Sequence, residues 1–176
     1  MERDRKILID EETIMKRVAE MGAKITADYE GKDLLIVCIL KGGVIFMSDL
    51  VKHIHLPLAM DFMAVSSYGA STRSSGVVRI LKDLDEDMEG KDVLIVEDIV
   101  DTGLTLHYLI DYLKSRKPGS VKACCFLDKP TRRKVEVEVD YIGFEIPDKF
   151  VVGYGLDYNQ KYRNLPGVWV LDENDN

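Results

Sequence analysis

Cysteine is scarce in this chain, and the arrangement of what there is argues against both a disulfide framework and a zinc site. Cys38, Cys124 and Cys125 each sit inside an apolar, strand-like run, with no CxxC spacing and no Cys/His pairing of the metal-site kind. They read as reduced core thiols of a cytoplasmic protein. In a strand, the adjacent Cys124 and Cys125 would point to opposite faces. Basic charge is also in deficit. Against 31 Asp and Glu stand 24 Lys and Arg, for a net charge of −7, whereas broad nucleic-acid binders carry a basic surplus or stripe. The one dense basic patch, Lys129-Pro130-Thr131-Arg132-Arg133-Lys134, is short enough to be a solvated turn before a strand. No run reaches the ~18 apolar residues of a membrane span, and MERDRKILID lacks the apolar stretch of a secretory signal. The expectation is a soluble cytoplasmic protein with neither a membrane nor a nucleic-acid partner. No repeat and no linker rich in Pro, Gly or Ser divides the chain, so residues 1–176 are expected to form one domain.

What is present describes a folded enzyme-sized unit. With 46% hydrophobic and 31% charged residues, the chain has the composition of a globular protein. A chain of this length buries about 70% of its unfolded surface, so it needs no staple. Asp10, followed by Glu11, Glu12 and Thr13, marks a helix start, and Ile14, Val18, Met21 and Ile25 recur at helical spacing up to Gly31. Leu34–Leu40 (LLIVCIL) is a buried-type strand, broken at Lys41-Gly42-Gly43 before a helix over Val44–His55. Strands are expected at Leu58–Val65, Val77–Leu81, Val93–Val96, Val121–Leu127 and Val139–Phe144, with a helix over Leu104–Lys114. Ser66–Gly76 is a long polar loop, and the last third, rich in Tyr, Gly and Asp, is expected to form a small cap. Apolar strands alternating with helices predict an α/β fold with a mainly parallel sheet covered on both faces.

Ligands of such sheets sit at the carboxyl ends of the strands, and two strand ends here are conspicuously polar. After Val93–Val96 come Glu97 and Asp98, then Ile99 and Val100, then Asp101-Thr102-Gly103-Leu104-Thr105 opening a helix. A helix N-terminus offers unpaired N–H donors and partial positive charge, which suits a phosphate. Thr102 and Thr105 add hydroxyls, and Gly103 permits close backbone approach. Glu97 and Asp98, which only accept hydrogen bonds, suit the vicinal hydroxyls of a ribose or a hydrated magnesium ion. Asp-Thr-Gly alone is an everyday helix cap; the 14-residue unit VLIVEDIVDTGLTL (Val93–Leu106) is far more specific. After the earlier strand, Lys41-Gly42-Gly43 can present N–H groups to an anion in a tight concavity.

VLIVEDIVDTGLTL resembles the phosphoribosyl-diphosphate signature of type I phosphoribosyltransferases, and more narrowly that of hypoxanthine–guanine phosphoribosyltransferases of bacterial size. The likeness runs from about Ile7 to Leu171 through several separate motifs. It implies the type I fold: a mainly parallel sheet flanked by helices, a small hood drawn from about residues 128–176 and the N-terminus, and a flexible lid loop bearing Ser67 and Tyr68. It implies that Glu97, Asp98, Asp101, Thr102, Gly103, Leu104 and Thr105 hold the ribose phosphate, and that Lys41, Gly42, Gly43 and Arg163 hold the pyrophosphate. Ile99, Lys129, Phe150, Val151 and Asp157 would meet the purine, and Glu97, Asp98 and Asp157 would bear on Mg2+. Leu104 stands where some relatives carry Lys, so a charged contact is absent there while the anion-binding backbone remains.

The reaction so implied is displacement of pyrophosphate from phosphoribosyl diphosphate by N9 of hypoxanthine or guanine, giving IMP or GMP, with Asp101 handling a proton at N7. The ammonium of Lys129 donates only, so it favours a 6-carbonyl over a 6-amino group. A homodimer or homotetramer follows from the resemblance alone. Rival readings are a xanthine-preferring transferase, an RNA-binding regulator on the same fold, and a receiver-like phosphate-binding domain. The last leaves Lys41-Gly42-Gly43, Ser67-Tyr68 and the C-terminal segment unexplained.

Overall fold

The structure, a computed structural model, describes residues 5–67 and 78–171. Its main sheet contains β2 (Leu34–Leu40), β3 (Leu58–Ser67), β4 (Val78–Lys82), β5 (Asp92–Val100), β6 (Ser120–Asp128) and β7 (Tyr141–Glu145), in the order β4-β3-β2-β5-β6-β7. Every pairing is parallel except β3 with β4. A strand such as LLIVCIL, apolar at every position, is stable only where both faces are covered. Helices α1 (Glu11–Asp28) and α2 (Val44–Val51) cover one face and α3 (Leu104–Lys114) the other.

Strand alternation divides the core accordingly. Ile36 and Cys38 of β2 join Leu94 and Val96 of β5 against Ile14, Val18, Met21 and Ile25 of α1. Leu35, Val37, Val93 and Ile95 join Leu106, Leu109 and Leu113 of α3. Each such buried aliphatic side chain contributes roughly 1.5–3 kcal/mol of transfer free energy. Cys124 packs with the first group and Cys125 with the second, on opposite faces as their adjacency requires. Both are free and buried, and burial pushes both thiols well above their usual titration range.

The N-terminus of α1 is closed as its sequence implies. Asp10 Oδ1 accepts a hydrogen bond from Thr13 N at 2.8 Å, and this bonding holds the Asp10 carboxyl below its usual range. Other boundaries differ from expectation. Helix α2 stops at Val51 and not His55, because tight turns bring His53 N to Leu50 O and Ile54 N to Val51 O. The chain there bends toward α1, where Gly22 leaves a notch that a Cβ would fill against His53. Strand β5 runs four residues past Val96, because Glu97, Ile99 and Val100 stay in register with Cys125, Leu127 and Asp128. The two acids therefore lie within the strand and not in a loop after it. Strand β3 likewise takes in Ser66 and Ser67, and Tyr68 lies outside the described residues. Strand β7 begins at Tyr141 and not Val139, since the Asp140 side chain accepts the hydrogen bond of Ala123 N.

A second, antiparallel sheet joins the chain ends. In it β1 (Lys6–Ile9) and β8 (Val151–Val152) both pair with β9 (Val168–Val170). Of residues 128–176, β7 extends the main sheet, and β8 and β9 supply the small one. The neighbours β2 and β5 fix the position of the site. From β2 the chain passes through α2 to β3 on one side, and from β5 through α3 to β6 on the other. The strand order reverses between them, and that is where a crevice opens at the carboxyl ends of the strands.

Candidate active site

A cavity of about 450 Å³ occupies this crevice, lined by Ile39 and Leu40 at the end of β2, Gly42 just after it, Val65 of β3, Glu97–Leu106 except Leu104, and Asp157 and Arg163. A smaller hollow of about 210 Å³ adjoins it, lined by Lys129, Phe150, Val151 and Leu156. The two share Asp98, Ile99, Asp101 and Asp157. One continuous site thus has two ends, with Asp101 at the boundary.

The larger end carries features that suit an anion. Gly103, at φ +84°, turns the chain into α3 and supplies no side-chain cap, which leaves first-turn N–H groups to a ligand. Thr102, Gly103 and Thr105 line the cavity. Leu104 does not; it starts the helix and donates its N–H to Thr102 Oγ1 at 3.4 Å. The turn is held from outside by a residue that sequence reasoning passed over. Arg133 donates to the carbonyls of Val100 (3.3 Å) and Asp101 (3.0 Å), and to buried Asp128 at 2.6 Å. Lys134 N adds a bond to Thr102 O at 2.9 Å. The only signal for Arg133 was its place just after Lys129 on the ligand side of the sheet, inside a run that reads equally well as a solvated turn.

The β2 loop lies directly against the acids of β5. A Cβ at Gly42 would collide with the Asp98 carboxylate, and one at Gly43 would lie 2.8 Å from Ile39 O. The Leu40–Lys41 peptide is cis. Lys41 Nζ and Arg163 Nη2, expected on the same pyrophosphate, converge on one acceptor, Gln160 Oε1, at 3.3 and 3.2 Å. Gln160 carried no sequence signal of its own. Asp157 pairs with Arg163 at 3.4 Å and accepts from Gln160 N at 2.8 Å. It faces the same cavity as Glu97 and Asp98, but among the described residues no three His, Cys, Asp or Glu side chains form a metal-binding group.

Burial, reinforced by the charge of Asp98, pushes the Glu97 carboxyl well above its usual range. Burial also raises Asp98, against the hydrogen bond from Ile99 N and the positive charge of Arg163. Desolvation and these two acids raise the thiol of Cys38 beneath them to about 12. The two carboxylates lie side by side, Glu97 buried and Asp98 half-buried, with the positive charge of Arg163 acting on Asp98, so a cation brought with an anionic substrate would offset their mutual repulsion.

At the smaller end Lys129, expected at a specificity position, is buried, with Nζ 3.8 Å from Asp148 Oδ1. Phe150 is 53% exposed and meets Tyr158 at right angles, 5.9 Å between ring centroids. Val151 is buried in β8, and Ile99 packs on the core beneath.

The family model for the phosphoribosyl transferase domain matches residues 5–159. The chain belongs to the phosphoribosyltransferase family. This phosphoribosyltransferase is 55% identical to the hypoxanthine-guanine phosphoribosyltransferase of Bacillus subtilis (strain 168) over 94% of its own length and 92% of the relative's. With that of Streptococcus thermophilus (strain CNRZ 1066) it shares 53% identity over 98% and 97%. Among solved structures, a hypoxanthine phosphoribosyltransferase from Staphylococcus aureus superposes with a TM-score of 0.92 at 52% identity, covering 95% of this chain and 91% of that one. The phosphoribosyltransferase thus carries the type I fold expected from its β5 signature.

Proposed function

We propose that the protein is a hypoxanthine–guanine phosphoribosyltransferase of purine salvage. The observation that carries this reading is the pair of adjoining hollows at the β2/β5 switch point. One is floored by a helix N-terminus, the other is walled by a buried lysine and an exposed phenylalanine, and they meet at Asp101. Phosphate binds at Thr102–Thr105, and the diphosphate lies along Lys41-Gly42-Gly43 near Arg163. The base stacks on Phe150, with backbone groups of Val151 at its edge and its 6-carbonyl toward Lys129.

In the reaction, the bond from the anomeric carbon to the diphosphate oxygen breaks and its electron pair leaves with pyrophosphate. Purine N9 forms the new bond to that carbon, and the proton lost from N7 passes to Asp101. The donors along Lys41-Gly42-Gly43 stabilise charge as it develops on the leaving group. The site residues fit Mg2+, which takes few protein carboxylates and completes its shell with water and substrate phosphate. Glu97 and Asp98 would hold it, with Asp157 nearby. When bound, the ion neutralises the diphosphate and favours its departure.

Three buried, free thiols accord with a reducing cytoplasm, and the family resemblance extends to a homodimer or homotetramer. Initial rates with hypoxanthine, guanine, xanthine and adenine test the reading. The 6-oxopurines hypoxanthine and guanine are expected to lead; preference for adenine would overturn the role of Lys129, and preference for xanthine would reassign the substrate.

A further inference from the structure

Beyond the residues already assigned, Arg132 makes a contact that the proposed mechanism does not use. Its Nε donates to Asp101 Oδ1 at 2.6 Å, and its Nη1 donates to Asp148 Oδ2 at 3.3 Å. The other oxygen of Asp148 faces Lys129 Nζ at 3.8 Å. Four charges of alternating sign therefore run Asp101, Arg132, Asp148, Lys129. The two outer ones line the purine hollow and the two inner ones are outside its lining. The chain fixes this geometry locally. Pro130 opens a single 3₁₀ turn over Pro130–Arg132, and Arg132 N donates to Lys129 O at 3.1 Å. The turn thereby sets Arg132 at a constant offset from the lysine, with the proline ring fixing its first φ.

Arg132 and Asp101 are 43% and 41% exposed, and an ion pair that open to solvent adds little to folding stability. Its short charge-assisted bond has a more specific consequence. It engages Asp101 Oδ1 and restrains the carboxylate of a residue that lines the purine hollow, while Oδ2 has no hydrogen bond among the described residues.

We infer that Arg132, seated by Asp148, is a positioning residue that aims the Asp101 carboxylate at the purine and ties it to the lysine that reads the 6-carbonyl. This inference rests on the transferase reading above. It is tested by measuring kcat and KM for Arg132→Ala and Arg132→Lys, each in the wild-type and the Asp101→Asn background, with thermal melting alongside. Arg132→Ala is expected to lower kcat about tenfold while KM for phosphoribosyl diphosphate moves less than about threefold. In the Asp101→Asn background the same change is expected to cost less than about twofold, because a residue acting through another has no effect once that one is gone. Arg132→Lys, which keeps the charge but cannot span both carboxylates, should recover part of the loss. Asp148→Asn, which leaves Arg132 in place but unseated, should lower kcat about threefold and serves if Arg132→Ala fails to fold. Unchanged kcat in Arg132→Ala, or an equal fold loss in both backgrounds, overturns the inference. Absence of nucleotide formation by the wild-type chain instead overturns the transferase reading on which it rests.

Discussion

The two ends of the site are built by different means. The end proposed for phosphate comes almost entirely from one contiguous stretch, Glu97–Leu106, running from inside β5 into α3. Its chemistry is largely that of backbone: a left-handed glycine, open N–H groups and a loop too close-packed for a Cβ. The end proposed for the purine is assembled from Lys129 after β6, Phe150 and Val151 around β8, and Leu156 and Asp157 in the turn that follows, and its chemistry is that of side chains. A backbone site tolerates little change at its glycines but is indifferent to many side chains. A side-chain site can be retuned residue by residue.

Substitutions can sharpen or break that contrast. The largest effect is expected at the boundary, where Asp101→Asn should reduce kcat by about 10²-fold or more with KM for either substrate little changed; an unaltered turnover number would remove Asp101 from proton handling. Next, Gly42→Ala forces a Cβ into the Asp98 carboxylate and should raise KM for phosphoribosyl diphosphate about 30-fold, leaving KM for hypoxanthine within about threefold. Equal changes in both constants would show that the two ends are not separable. Lys129→Ala should do the reverse, weakening hypoxanthine by about tenfold as a charge-assisted hydrogen bond is lost and narrowing discrimination against adenine. A smaller loss, about fivefold in base affinity, is expected for Phe150→Leu, which keeps apolar area but removes the stacking face; fluorescence or calorimetric titration with IMP measures it.

The smallest predicted effect concerns stability. Because Glu97 titrates well above its usual range in the folded chain, it keeps a proton there that the unfolded chain has already lost. Stability of the ligand-free protein therefore falls as pH rises from the unfolded carboxylate value toward the raised one. Glu97→Gln should lessen that slope, to which Asp98 also contributes, and raise Tm at neutral pH by about 2–4 °C, corresponding to about 1 kcal/mol, while weakening diphosphate binding. A lower Tm would mean that the buried acid is compensated within the protein itself.

The same contrast explains what was legible in the sequence. Fully apolar strands and the cap at Asp10 gave the α/β layers directly, since burial and capping are properties of short segments. The phosphate end was legible because one unbroken run encodes it, although β5 proved to continue through its two acids. At the purine end, Lys129 and Phe150 were placed by resemblance, because a lysine in a basic run and a lone phenylalanine carry no local signal. Arg132 and Arg133 were read only as part of a solvated basic turn, and Gln160 carried no signal. Each makes a contact far along the chain, Arg133 to the Val100 and Asp101 carbonyls, Gln160 to Lys41 and Arg132 to Asp101, and such contacts exist only once the sheet has brought β2, β5, β6 and the last turns together.

The central claim is that a phosphoribosyl group and a 6-oxopurine meet across Asp101. Incubating the protein with phosphoribosyl diphosphate, hypoxanthine and Mg2+ and following IMP and pyrophosphate together tests it most directly. The account predicts their formation in equal amounts, with loss of both on chelation of the metal. Pyrophosphate released without IMP, or no product from any 6-oxopurine, would contradict it.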